Sequence, residues 1–353
     1  MNSEFPKVKH RVIDSHLHIY DYFDEKGQDC FHCFEDYRNE MELAGLNVCA
    51  LPSGYGNDVT NNLVCAIYKM LNKETFAHAG LLYDKYPMGD KLPDNMSFTT
   101  QLDELTEIGF DGIKMIEGKP NAHRTVGRNL LNDEYDKFFA EAEKRGTHIV
   151  FHVNDPKEFW TNENGDYYGD DTFASHEELY RQAYKILENH PNLKVTFAHF
   201  FFKSERPQDL EELFRKYPNV CVDLTPGWEM YLSFYENREF FKDFFSKYSK
   251  RILLGTDADF PSRTECNMWR VDRVYRFLSS PDIVKAVADR YESGLCIPDY
   301  AIEDITHGNF ERRVGAVPKE INKEALKAYY QKYKHLMTEN DIQYIDKVFE
   351  KFL

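Results

Sequence analysis

The sequence predicts an α/β chain folded as a (β/α)8 TIM barrel with a C-terminal helical extension, and three observations carry that reading. Eight short apolar runs, rich in β-branched residues, alternate with eight amphipathic stretches of helical length. Turn and cap residues fall at the junctions between them. The length, 353 residues, accommodates a barrel of about 250 residues with insertions.

The strand candidates are Val12–Ile19, Asn47–Leu51, Phe76–Tyr83, Gly112–Ile116, Thr147–Val153, Lys194–His199, Asn219–Leu224 and Arg251–Thr256. Helices are expected over 34–44, 59–73, 98–108, 129–145, 175–190, 207–217, 229–249 and 264–279. Ser175-His-Glu-Glu178 reads as a capping box, with Leu179, Ala183, Ile186 and Leu187 following at helical spacing. Tyr217-Pro-Asn219 ends the next helix and opens a strand. A doubly wound open sheet is the competing architecture, but no Gly-rich first βα turn supports it. The expected organisation is a barrel domain over 1–315 and a helical extension over 316–353.

Composition narrows the function. Apolar residues at 42% and charged residues at 29% describe a folded chain rather than a disordered one. A net charge of −16 repels nucleic acid and anionic membranes, so neither is an expected partner. The first residues form no apolar signal region, and a cytoplasmic location is expected. Seven dispersed Cys suit reduced thiols. Cys30-Phe-His-Cys33 has C-x-x-C spacing, but a structural zinc would need a second such pair.

In "VIDSHLHIYDYFD" Asp14, His16 and His18 fall on every second residue and share one face of a strand. A chain with 13 His produces an H-x-H by chance often enough that the motif needs support elsewhere. It finds that support at other strand ends. His152 follows Ile149-Val-Phe151, His199 follows Val195-Thr-Phe-Ala198, and Asp257 follows an apolar run and a Gly. Ionisable groups ending buried strands cost several kcal/mol unless paired or bound to metal. In a barrel these ends converge on one mouth. Strand 4 carries Lys114 inside and Glu117 at its exit, and His32 and His123 are expected in loops on the same side.

This ordered set resembles the amidohydrolase superfamily of metal-dependent barrels. The resemblance is strongest to its amidohydrolase-related branch, which includes 2-pyrone-4,6-dicarboxylate lactonase, aminocarboxymuconate semialdehyde decarboxylase and aromatic-acid decarboxylases. "VIDSHLHIY", "HVNDPKEFW" and "ILLGTDADFPS" resemble its strand-end segments, and "ITHGNFERRVG" its closing Asn-x-x-Arg helix, over roughly residues 10–315. The resemblance implies His16, His18, His152 and Asp257 as metal ligands, with His199 beside the metal as catalyst. Imidazole and carboxylate suit zinc, with manganese as the other candidate. Asp257 would also accept a proton from water, and Asp14 would orient one of the histidines. Binuclear members carry a carboxylated lysine on strand 4, so Lys114 opens the alternative of a second metal.

The expected activity is a metal-dependent hydrolase of a small carboxylated lactone, amide or related compound. The alternative is a non-oxidative decarboxylase of a small aromatic or unsaturated acid. Lys114, Lys119, Arg124, Trp228 and Arg263 are candidates for binding the substrate, its carboxylate above all. The polar, aromatic stretch 160–174 is long enough to cover a pocket. Pairing through outer helices would make a homodimer.

Overall fold

The computed structural model describes residues 8–19, 46–52, 59–89, 91–127, 129–161, 167–226, 230–260, 267–285 and 291–353. Trp228, Arg263, His32, Cys30, Cys33 and the helix expected over 34–44 lie outside them. The chain gathers into two compact units. One holds the N-terminal strand with Val195–Val317; the other holds Ala50–Lys194 with Pro318–Leu353.

Strands β1 (Val12–Ile19), β2 (Leu46–Pro52), β3 (Thr75–Ala79), β4 (Gly112–Gly118), β5 (His148–Val153), β6 (Val195–Phe197), β7 (Val220–Asp223) and β8 (Ile252–Leu253) fall where the apolar runs predict. In the first unit β6, β7 and β8 are parallel neighbours, with Val195 opposite Val220 and Val222 opposite Ile252. Beyond β8 the chain runs against β1: Ser15 N donates to Leu254 O at 3.0 Å and Asp257 N to His16 O at 2.9 Å. In the second unit β3, β4 and β5 are parallel, and a register shift between Met115 and Gly118 interrupts β4.

Several strands are shorter than their apolar runs, for identifiable reasons. Past Ala79 the backbone pairs with side-chain amides instead of a neighbouring strand. Asn62 brackets Gly80 with bonds of 2.7 and 2.9 Å, and Gln101 brackets Leu82 with bonds of 2.7 and 2.9 Å. The helix expected over 129–145 begins at Asp133, where Asn132 caps Tyr135 N, and ends in left-handed Gly146. That expected over 229–249 is two, Met230–Glu236 and Arg238–Lys247, because Asn237 leaves helical geometry and its side chain turns back to Ser233 O. Ser175 caps its helix as expected, its hydroxyl accepting from Glu178 N at 3.1 Å.

Two helices, Lys323–Tyr333 and Glu339–Phe352, make up the C-terminal stretch. The first packs on helices Val59–Leu71 and Phe98–Ile108 of its own unit. Asn62 Nδ2 donates to the Tyr329 hydroxyl, and that of Tyr333 donates to Glu104. Among the described residues no helix is long and apolar enough to cross a membrane.

Asn309, in the segment singled out as a closing helix, is 1% exposed and ties that helix to the foot of β8. Its Nδ2 donates to Ser249 O at 2.7 Å and to Ile252 O at 2.6 Å. Replacing Asn309 with Ala removes both bonds and leaves their carbonyls buried. The expected loss is about 1–3 kcal/mol of stability, read as a lower urea midpoint at unchanged slope.

Candidate metal centre

Alternation along β1 puts His16 and His18 on one side of the strand, and the segment after β8 brings Asp257 to them. His16 Nε2 and His18 Nε2 are 3.2 Å apart. Asp257 Oδ1 lies 3.5 Å from the first and 3.3 Å from the second. One ligand atom from each residue fits within 4.8 Å of the others, the only such metal-capable group among the described residues. His16 is wholly buried, His18 is nearly so, and the Asp257 carboxylate is 36% exposed. Two imidazoles and a carboxylate around one point, open on one side, fit a divalent ion.

Close approach makes the group possible. Gly255 sits where a Cβ would come within 2.7 Å of the Thr225 hydroxyl and 3.0 Å of His16 Cβ. Asp257 has φ +51°, a left-handed conformation that costs a non-glycine residue about 1–3 kcal/mol. The hydrogen bond that its backbone N–H donates to His16 O helps to hold it there.

Asp223, the last residue of β7, organises this side of the unit. Its Oδ2 pairs with His16 Nδ1 at 2.9 Å, while Oδ1 accepts from His199 N at 2.9 Å and Thr225 N at 3.1 Å. A carboxylate on Nδ1 fixes the proton there and leaves Nε2 as the electron-pair donor, a common support for metal-bound histidine. Burial pushes the Asp223 carboxyl up, but His16, His199 and Thr225 outweigh it and hold it below its usual range. Asp223 was missed in the sequence. The signal was present in "VCVDL", an apolar run ending in an acid, the same pattern that marked Asp257.

Asp14 does not orient an imidazole. Its Oδ1 accepts from His16 N and Thr256 N, both at 3.1 Å, and its Oδ2 from the Thr256 hydroxyl at 2.6 Å. Burial, against these donors, pushes its carboxyl up to about 7. Asp14 therefore braces β1 against the 254–257 segment.

His199 starts a tight turn, His199–Phe202, in which all four residues have positive φ. Its ring centre lies 6.0 Å from that of His16 and stacks on Phe202. Burial pushes the Asp257 carboxyl up, yet the hydrogen bond to His18 and the charges of His199, His16 and His18 hold it well below its usual range.

The remaining candidates among the described residues belong to the second unit. His152, at the end of β5, bonds through Nε2 to Asn154 O at 2.9 Å and faces Asp155 Oδ1 at 3.1 Å. Lys119 pairs with Asp155 at 3.0 Å. Lys114 is buried mid-strand on β4. Arg124 lies over the Phe173 ring at 4.1 Å and donates to Thr172. Glu117 is buried against the Tyr83 hydroxyl at 2.6 Å, and burial pushes its carboxyl up. His123 lies not in a loop but in helix Pro120–Val126, wholly buried against Gln182.

A model of the amidohydrolase family (Amidohydro_2) matches residues 88–289. No curated protein matches the chain. Solved structures do, at low identity. An uncharacterized TIM-barrel protein from Bordetella bronchiseptica is 13% identical, over 86% of this chain and 97% of that one, with a TM-score of 0.53. A "probable 2-pyrone-4,6-dicarboxylic acid hydrolase" from Acinetobacter baumannii, with citric acid bound, is 11% identical over 86% and 99%, with a TM-score of 0.53. A dihydroxybenzoic acid decarboxylase from a Polaromonas species, with bound manganese and 2-nitroresorcinol, is 10% identical over 86% and 97%, with a TM-score of 0.51. These likenesses carry the fold: an α/β TIM barrel, as the sequence predicts.

Proposed function

The chain belongs to the amidohydrolase family, and on that footing we propose that it is a metal-dependent hydrolase of a small carboxylated lactone, amide or related compound. The observation that supports this best is the meeting of His16 Nε2, His18 Nε2 and the Asp257 carboxylate, with Asp223 fixing the His16 tautomer. In this reading His16, His18 and Asp257 hold one divalent ion, zinc by the preference of imidazole and carboxylate donors, with manganese as the other candidate. The manganese in the Polaromonas decarboxylase supports a divalent ion in this fold. When bound, such an ion supplies Lewis acidity, which acidifies water and polarises a substrate oxygen.

The protein's own groups have distinct tasks in this reaction. Asp257, the most exposed of the three, takes the proton that the attacking water gives up. Its carboxyl is held below the usual range, so it is ionised. His199 stabilises the negative charge that develops on the substrate oxygen. Asp223 keeps His16 from turning. His152 is assigned a ligand role by the order of the sequence motifs alone. A carboxylated substrate fits the acids named in the Acinetobacter and Polaromonas proteins, and Lys119 or Arg124 would pair with it. The decarboxylase reading rests on the second of those proteins. It would have Asp257 and His199 manage a proton at carbon.

Purified without chelator, the protein is expected to hold about one equivalent of metal by mass spectrometry, and His18→Ala to lose it. Activity in that variant falls at least about a hundredfold, the share that several kcal/mol of charge stabilisation provides. Two equivalents would instead support the second ion on a carboxylated Lys114, and none after reconstitution would defeat the metal-dependent reading. A panel of cyclic lactones and hydroxylated aromatic acids separates the two reactions. Ring-opened acid without CO2 is expected, and CO2 release would transfer the assignment to the decarboxylase.

Asp223→Asn keeps the side chain's volume and removes its charge. Its metal affinity, measured by chelator competition, should drop about 10–100-fold. An unchanged affinity would remove Asp223 from the site.

A further inference from the structure

Asp155 lies two residues beyond β5, buried, and donors from three separate segments converge on it. Its Oδ1 accepts from Lys119 Nζ at 3.0 Å and lies 3.1 Å from His152 Nε2; its Oδ2 accepts from the Tyr168 hydroxyl at 2.5 Å. Asn154 shapes the turn between them. It sits at φ +74°, its amide N donates to Gly118 O at 2.9 Å, and its side chain donates to His176 O at 2.9 Å. So held, the Asn154 carbonyl points back to His152 Nε2 at 2.9 Å. Gly118 permits the crossing, since a Cβ there would lie 2.5 Å from His152 O.

The donor chemistry then settles the histidine. A carbonyl oxygen only accepts, and a carboxylate paired with an ammonium also accepts. The two oxygens that Nε2 faces, Asn154 O and Asp155 Oδ1, are both acceptors, so Nε2 carries a proton. In the neutral ring the electron pair is then on Nδ1.

We propose that Asp155 is a positioning residue for His152 and Lys119: with the Asn154 carbonyl it commits the His152 proton to Nε2, leaves Nδ1 as the ring's electron-pair donor, and fixes the Lys119 ammonium beside it. A histidine locked in one tautomer serves as a ligand or a base, and a cation held at a fixed place serves to recognise an anionic substrate. The arrangement is complete within one unit and does not depend on an ion binding at His16 and His18. Tyr168 adds a third donor, which keeps Asp155 turned toward the pair.

The test is long-range imidazole 15N–1H correlation on full-length protein labelled at histidine, with His152→Gln identifying the signal. Chelator-treated and zinc-supplemented samples are compared, so the tautomer is read apart from metal binding. Wild type should show His152 protonated on Nε2 in the chelator-treated sample. Asp155→Asn should bring in the Nδ1-protonated form and shift the Nε2–H signal, and amine labelling of Lys119, followed by peptide mass spectrometry, should become faster. Tyr168→Phe, which loses only a hydroxyl, should retain the Nε2 form; it also serves if Asp155→Asn does not fold, its Lys119 then labelling faster. A wild-type ring protonated on Nδ1 would overturn the proposal. So would a folded Asp155→Asn protein whose His152 spectrum and Lys119 labelling match wild type.

Discussion

Much of the first unit depends on one buried carboxylate. Asp223 is 1% exposed, and a lone charge at that depth would cost several kcal/mol. It is tolerated because its two oxygens meet the His16 ring, the His199 amide and the Thr225 amide. Those bonds join β1, the turn after β6 and the exit of β7. Remove the charge and the His16 ring loses its bearing, while the His199 turn loses the acceptor that starts it. Strand geometry places these residues near one another; Asp223 decides which way they face.

The backbone at these strand ends carries strain. Asp257, His199 and Asn154 all have positive φ, a region that costs residues with side chains. Each is held by a hydrogen bond from its amide: to His16 O, to Asp223 Oδ1 and to Gly118 O respectively. Regular strands would have continued along their own axes, pointing these side chains alternately in and out. Leaving strand geometry one residue early lets the chain aim a particular group. The same compromise shortens β6 and β8 relative to their apolar runs.

Hydrophobic periodicity made the strands legible, because a buried parallel strand must be apolar for most of its length. It could not reveal where Asn62 and Gln101 replace strand pairing, since amide bracketing leaves no periodic trace. Asn237, which splits one expected helix, is a familiar breaker but was read through because apolar residues continue at helical spacing on both sides. In the candidate centre, His16, His18 and Asp257 were legible as ionisable groups ending apolar runs. Asp223 has the same signature, but an acid that ends an apolar run looks the same in sequence whether it holds a metal or orients a ligand. Asp14 illustrates the opposite error. Sharing a strand face with two histidines suggested a bond to a ring, yet the 254–257 segment lies closer and takes both its oxygens.

The histidines divide by what they bond. His78 and His148 pair with each other at 2.8 Å, and His123 pairs with the Gln182 amide; all three are buried. Burial, with Lys69 and Lys319 nearby, pushes His78 down to about 3, so its ring stays neutral in the core. His190 does meet an acid, Asp136, but that carboxylate is 54% exposed and remains hydrated at little cost. His16 and His152 differ from all of these: their carboxylates, Asp223 and Asp155, are 1% and 4% exposed. Burying a carboxylate only to fill space would be poor economy, because an amide or a second imidazole satisfies a core histidine without the desolvation. What a buried carboxylate adds is a fixed proton on one ring nitrogen and therefore a fixed electron pair on the other. In a chain this rich in histidine, the buried acid behind the ring sets His16 and His152 apart from the core pairs.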